Sequence, residues 1–231
     1  MLNFFKEVFK KGELRRKVVF TLGILFVFRL GAGIVIPYID TSAITSAATS
    51  SGIFGIMNML GGGTLEKFSL FSLGVSPYIT SSIIIELLSM DVIPALAQWN
   101  KEGNTGKKKK DKVTRVLTLA LAIIQGGSLT YAFDKGYSIL ASSSIWTYVY
   151  VVIVMAAGSM FTMWLGDQIT IKGVGNGTSL LIFTGIVANL PNSFISSFKS
   201  MVTFGSTYKT ATSLAWYILF VLVYLAIVVF V

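Results

Sequence analysis

In a chain this apolar, any chemistry falls to the few polar side chains that the apolar runs admit. Three ionisable residues lie within or beside those runs: Arg29, Glu86 and Asp91. Carboxylates at mid-membrane depth can relay protons or bind cations, but a relay needs several of them in series. Glu86 lies about one and a half turns from the end of its run, where it would face water inside a bundle or reach the interface. Asp91 falls at the interface itself. Arg29 is close enough to the outer face to snorkel, and an ion pair is the other option. The chain has no His and no Cys. That removes imidazole bases, thiolate nucleophiles, disulfides, haem ligation by those residues and the usual soft metal sites.

One glycine-rich motif, KGVGNGTS at 172–179, invites a phosphate-binding reading. It matches neither GxGxxG nor a Walker A loop, and no soluble strand precedes it. A tight Asn-Gly turn, with Thr178 or Ser179 capping the next helix, explains it better. No nucleophile–base pair and no carboxylates at metal spacing are found, so the chain reads as a non-enzyme without cofactor or metal.

The polar groups that remain are hydroxyls, and they sit in an unexpected place. FSLGVSPYITSSIIIELLSM, residues 71–90, is apolar in its second half, yet its first half carries Ser76, Pro77, Tyr78, Thr80, Ser81 and Ser82. Ser76 before Pro77 reads as an N-cap followed by proline at the first helical position. A helix from there to about residue 91 would be roughly 22 Å long, too short to cross a ~30 Å hydrocarbon core. Two readings stay open. The span is interrupted, with irregular backbone at a depth where only protein or water can surround it, or it is one helix kinked at the proline with its hydroxyls bonded back to the preceding turn. Both put a polar face inside a helical bundle.

The elements that must position this stretch follow from composition. Hydrophobic residues make up 54% of 231, charged residues 13%, and mean hydropathy is +0.75, which marks an integral membrane protein. Long apolar segments cover 18–37, 113–133, 145–166, 179–198 and 211–231, and 68–91 is a sixth. Fourteen of the nineteen Lys and Arg residues fall in 1–17, 92–115 and 167–178. That asymmetry places those segments and both ends on the cytoplasmic side, provided that 68–91 counts as a crossing. No cleavable signal peptide is expected, because a charged amphipathic leader precedes the first run. The leader's Leu2, Phe5, Val8 and Phe9 stand against Lys6, Lys10 and Lys11.

Two further stretches carry paired readings. The apolar octet at 53–60, flanked by a small polar run at 41–51 and by Gly61, Gly62 and Gly63, reaches only ~12 Å as a helix and cannot span. It would lie on the outer surface, or fold back into the mouth of a cavity as a movable stopper; paired interrupted segments point to transport sites. The Lys-rich segment 92–112, read as a cytoplasmic loop, serves topology and anionic lipid. It could equally dock an acidic or RNA-rich partner through Lys107, Lys108, Lys109 and Lys110.

These residues carry a resemblance. LGVSPYITSSIIIELL (73–88), TMWLGDQITIKGVGNGTSLLIFTGIVANLP (162–191) and RLGAGIVIP (29–37) closely resemble bacterial SecY, the family of pore-forming subunits of the Sec protein-translocation channel. The likeness runs over essentially the whole chain.

It implies an all-α integral membrane protein: a cytoplasmic leader at 1–17, the first five-span inverted repeat at 18–198, and an external loop with the sixth span at 199–231. The chain would be the first part of a longer protein, completed by a C-terminal half. The resemblance further implies a short re-entrant plug helix made of Ile53, Phe54, Gly55, Ile56, Met57, Asn58, Met59 and Leu60. A constricting pore ring would fall on Val75, Ile79, Ile182 and Ile186, and a lateral gate on Ile83, Ile84, Leu87 and Leu88. A ring of aliphatic side chains can seal around any polypeptide and gate by dewetting.

The implied location is the bacterial plasma membrane. The implied partners are the SecE and SecG small membrane subunits, the SecA motor or a ribosome, signal peptides and nascent chains, and anionic lipids. Glu86 departs from the glutamine usual in the family. Ile182, about four residues into its helix, lies shallower than Ile79 unless the helices tilt. The rival reading is half of a secondary solute transporter with broken helices, which would require polar ligands at mid-depth.

Overall fold

The computed structural model describes residues 12–40, 63–65, 67–90, 92–140, 144–201 and 214–218. Six helices are named in chain order: α1 Gly12–Ala32, α2 Ser76–Leu88, α3 Pro94–Lys101, α4 Asn104–Tyr137, α5 Ile145–Lys172 and α6 Gly177–Met201. Among the described residues, two helices, α4 and α5, are long and apolar enough to cross a membrane. The expected plug at 53–60 lies outside the described residues, as do 1–11 of the leader and all but 214–218 of the sixth span.

Residues 1–186 and 187–231 form separate compact units. In the first, α4 and α5 pack along each other as an antiparallel hairpin, α2 lies mainly on α4, and α1 lies on α5. At ~1.5 Å per residue, the 34 residues of α4 reach about 51 Å, well beyond the hydrocarbon core. The extra length is its basic start. Lys107, Lys108, Lys109, Lys110 and Lys112, expected in a loop, are helical, since lysine is a good helix former and the chain needs no break where it leaves the membrane. The loop shrinks to the turns on either side of α3.

Two buried clusters sit on either side of the stretch before α2. Phe68 and Leu73 join Ala122, Phe133, Val151 and Met155 from the α4/α5 hairpin. Phe71 instead joins Phe28 of α1, Leu165 and Ile169 of α5 and Leu181 of α6, with its ring 5.6 Å from Phe28 and 5.9 Å from Phe161. The segments after α1, before α2 and after α4 are tied by single backbone bonds rather than a sheet. Leu70 N donates to Ile34 O at 2.8 Å, Ile36 N to Phe68 O at 3.1 Å, and Asp40 N to Ile139 O at 2.8 Å. In the second unit, α6 continues through Pro191, and Phe198 meets Tyr217 edge to face at 5.2 Å.

Candidate functional site

The break in the hydroxyl-rich span is present, and α2 has 13 residues, about 20 Å of helix. A run of turns precedes it, as the interrupted reading expects, and the back-bonding that belonged to its rival is present as well. Thr80 Oγ1 donates to the Ser76 carbonyl at 3.1 Å and Ser81 Oγ to the Pro77 carbonyl at 2.8 Å. One detail is corrected. Ser76 is not the cap: the N-cap is Val75, no side chain caps the helix, and Pro77 occupies the first turn. With no amide hydrogen, proline removes one of the donors a cap would serve.

Residues 67–75 are a run of turns, and Phe68, Ser69, Phe71, Ser72 and Leu73 are all buried. Buried non-helical backbone needs partners from the rest of the protein, and α5 supplies them. Gly158 presses against the Leu70 carbonyl so closely that any Cβ would collide with it. One residue on, Ser159 Oγ donates to the Gly74 carbonyl at 3.1 Å. Neither residue was singled out in the sequence. Their one signal is the small-residue run AAGS at 156–159, the composition that lets membrane helices approach closely.

The break opens onto a cavity of about 600 Å³ that brings Val75, Ile79 and Ile182 to one wall, together with Phe28, Leu73, Leu129 and Leu181. Ile186, one turn further along α6 and partly buried, is not among the residues lining it. Ser76, Thr80, Gln125 and Ser128 border the same cavity. The hydroxyls of Thr80 and Ser128 are already donated to carbonyls of their own helices, at 3.1 and 2.8 Å.

Ile79 and Ile182 line the same cavity, and α6 starts at Gly177, two residues before the start that a Thr178 cap would give. Its cap is Asn176, not Thr178 or Ser179: Asn176 Oδ1 accepts from Ser179 N at 3.2 Å, the geometry of an N-cap serving the third helical amide. The turn belongs to Gly175, at φ +73. Gly177 lies against the Gly166 carbonyl, where a Cβ would not fit, and its amide donates to Thr170 Oγ1 at 2.9 Å.

The expected gate residues divide. Pro77, Ser81 and Ile85 form the buried stripe of α2. Ile83 and Leu87 are 54% and 57% exposed on the opposite stripe, with Ile84 and Leu88 partly covered between them. Arg29 is exposed in the last turn of α1, where a cation complements the free carbonyls.

At the basic end of α4 a second cavity of about 590 Å³ is lined by Tyr78, Ser82, Glu86, Trp99, Lys107, Lys110, Asp111, Arg115, Asp167 and Asn176, among others. Arg115 pairs with Asp167 at 2.8 Å across α4 and α5. The four lysines expected to dock a partner do not act alike. Lys107 and Lys108 are exposed, Lys109 pairs with Glu102 at 2.8 Å, and Lys110 turns inward to Glu86 at 3.1 Å. Among the described residues, no cluster of His, Cys, Asp or Glu could hold a metal ion.

Comparison with known proteins completes the site. Residues 69–231 match the family model described as SecY. The chain is similar to protein translocase subunit SecY 1 of Lactobacillus kefiranofaciens subsp. kefiranofaciens, 43% identical over 204 residues, covering 87% of this chain and 47% of that one. It is also similar to protein translocase subunit SecY of Bacillus subtilis (strain 168), 40% identical over 212 residues, covering 91% and 47%. The chain thus spans about half the length of the curated relatives it matches. In fold it is similar to Sec61 in the canine ribosome-channel complex from the endoplasmic reticulum, with TM-score 0.57 and 16% identity, over 80% of this chain and 41% of that one.

Proposed function

We propose, from the premise that this chain belongs to the SecY family, that it supplies one wall of a protein-conducting channel that passes unfolded polypeptides. The cavity at the break in α2 carries the reading. It gathers Val75 from the turn before α2, Ile79 from α2 and Ile182 from α6. Aliphatic walls make no directed bonds, so a chain of any sequence can slide past while water and ions are excluded by dewetting. Ile186 completes the ring one turn along α6.

The finer topology belongs to the same proposal. The chain contributes six spans, with both of its ends and its basic segments cytoplasmic in a bacterial plasma membrane and 53–60 as a plug on the outer side. Apolar signal segments leave along the exposed stripe of Ile83 and Leu87, with Ile84 and Leu88 beside it. Partners are the C-terminal half, SecE, SecG, cargo, anionic lipid, and SecA or a ribosome at the exposed Lys107 and Lys108. A solute transporter would gather several polar ligands in the cavity; Thr80 and Ser128 turn their hydroxyls to backbone, and Ser76 and Gln125 stand among mainly aliphatic side chains.

The test is resting ion conductance of the full channel carrying Val75→Ser, Ile79→Ser, Ile182→Ser and Ile186→Ser together. A leak is expected. Unchanged conductance with unchanged cargo selectivity would remove the ring from these positions.

A further inference from the structure

The cytoplasmic end of α2 is fastened through one lysine. Lys110 leaves its basic neighbours and turns inward, with 16% of its side chain exposed against 47% for Lys109. Its Nζ donates to Glu86 Oε2 at 3.1 Å in α2, to Ser89 Oγ at 3.3 Å just past α2, and to Asn100 Oδ1 at 3.1 Å in α3. An ammonium has three protons, and here each has an acceptor. The knot then closes on itself. Asn100 Nδ2 donates to the Ser89 carbonyl at 3.1 Å, and Ser89 Oγ donates to the Glu86 carbonyl at 2.8 Å.

Only one of the three acceptors carries charge, and the two partners are unequally placed. Glu86 is 59% exposed on its side of the pair, so without Lys110 it is simply solvated. Lys110 without Glu86 keeps a largely buried charge facing two neutral dipoles, which is the costlier state. A pair open to water on one side adds little net stability and breaks readily, as suits a contact that must let go. Its position gives the release a consequence. Glu86 is the chain neighbour of Leu87, on the turn that shows its apolar stripe outward, and both Glu86 and Lys110 line the cytoplasmic cavity, where entering cargo would meet them.

We propose that Lys110 is a positioning residue for α2: the Glu86–Lys110 pair latches the last turn of that helix to α3 and α4, and its release frees the Ile83 and Leu87 face to move. The inference rests on the reading of that face as the gate. The latch itself is local geometry and can be tested apart from it.

The test uses the full channel in membranes with E86K, K110E, the swap E86K/K110E, and the neutral variants E86Q and K110M. Amide hydrogen exchange is followed over 83–100, beside export of a cargo whose apolar signal has been shortened. Each single reversal should speed exchange and raise passage of the weak cargo about three- to tenfold, and the swap should return both towards the parent values. E86Q should loosen the segment more than K110M. A swap no better than the single reversals, or unchanged exchange in those reversals, overturns the latch.

A photo-crosslinker at Leu87 in the otherwise unaltered channel separates the two ideas. Capture of a signal segment there, together with a failed swap, overturns the latch and spares the gate. Rescue by the swap with no capture overturns the link to gating.

Discussion

Ser159 Oγ, fully buried in the middle of α5, donates a hydrogen bond to the carbonyl of Gly74 at 3.1 Å. Together with Gly158 against Leu70, it makes one turn of a membrane helix the support for a stretch that has no helix of its own. Removing the hydroxyl leaves a buried carbonyl unserved. Ser159→Ala should therefore cost about 1–3 kcal/mol, read as a lower unfolding temperature of the full protein in detergent. Gly158→Ala, which drives a methyl into backbone, should cost about as much through overpacking. If both variants melt like the parent, α5 does not hold the break.

Phe71 is the side chain that the break delivers between α1 and α5, stacked on Phe28 and Phe161. Phe71→Ala should destabilise by about 3–5 kcal/mol. It should also shift accessibility at Val75, four residues on. Cysteine labelling at position 75 reports this cleanly, because the chain has no other cysteine; unchanged labelling would show that Val75 is set independently.

Asn176 caps α6 through Ser179 N, so Asn176→Ala should cost about 0.5–2 kcal/mol while Asn176→Asp is tolerated. Unfolding midpoints decide it. Were Thr178→Ala the costly change instead, the helix would start two residues later, at Ser179, and Ile182 would sit nearer its end.

Lys107 and Lys108 are exposed where Lys110 is not. Reversing the first two to Glu should weaken association with an acidic or RNA-rich partner by about tenfold at low salt, and the difference should shrink towards 1 M salt. Binding measured against ionic strength checks it. A salt-independent loss would point to misfolding rather than docking.

Deleting 53–60 should raise resting conductance of the full channel and leave export running. Complete loss of export would make that segment a structural element instead of a stopper.

Much of this was legible in one dimension. Apolar length marked out α4 and α5, the two helices among the described residues long and apolar enough to cross a membrane, because hydrocarbon thickness acts on sequence directly. That the stretch around Pro77 departs from an ordinary span was legible too, but an interrupted helix and a kinked one both fitted its proline and hydroxyls. Other features were not. Asn176 and Thr178 both suit a cap, and only the chain's path chose between them. Lys110 reads like Lys107 until α2 and α3 fold beside it and supply Glu86, Ser89 and Asn100. Gly158 and Ser159 read as helix filler until the Leu70 and Gly74 carbonyls arrive from more than eighty residues away. Sequence by itself determined what each segment needs from its solvent, because transfer free energy belongs to the residue. Tertiary structure alone decided which groups answer one another, because a hydrogen bond or a close approach exists only when two distant pieces of chain share a place.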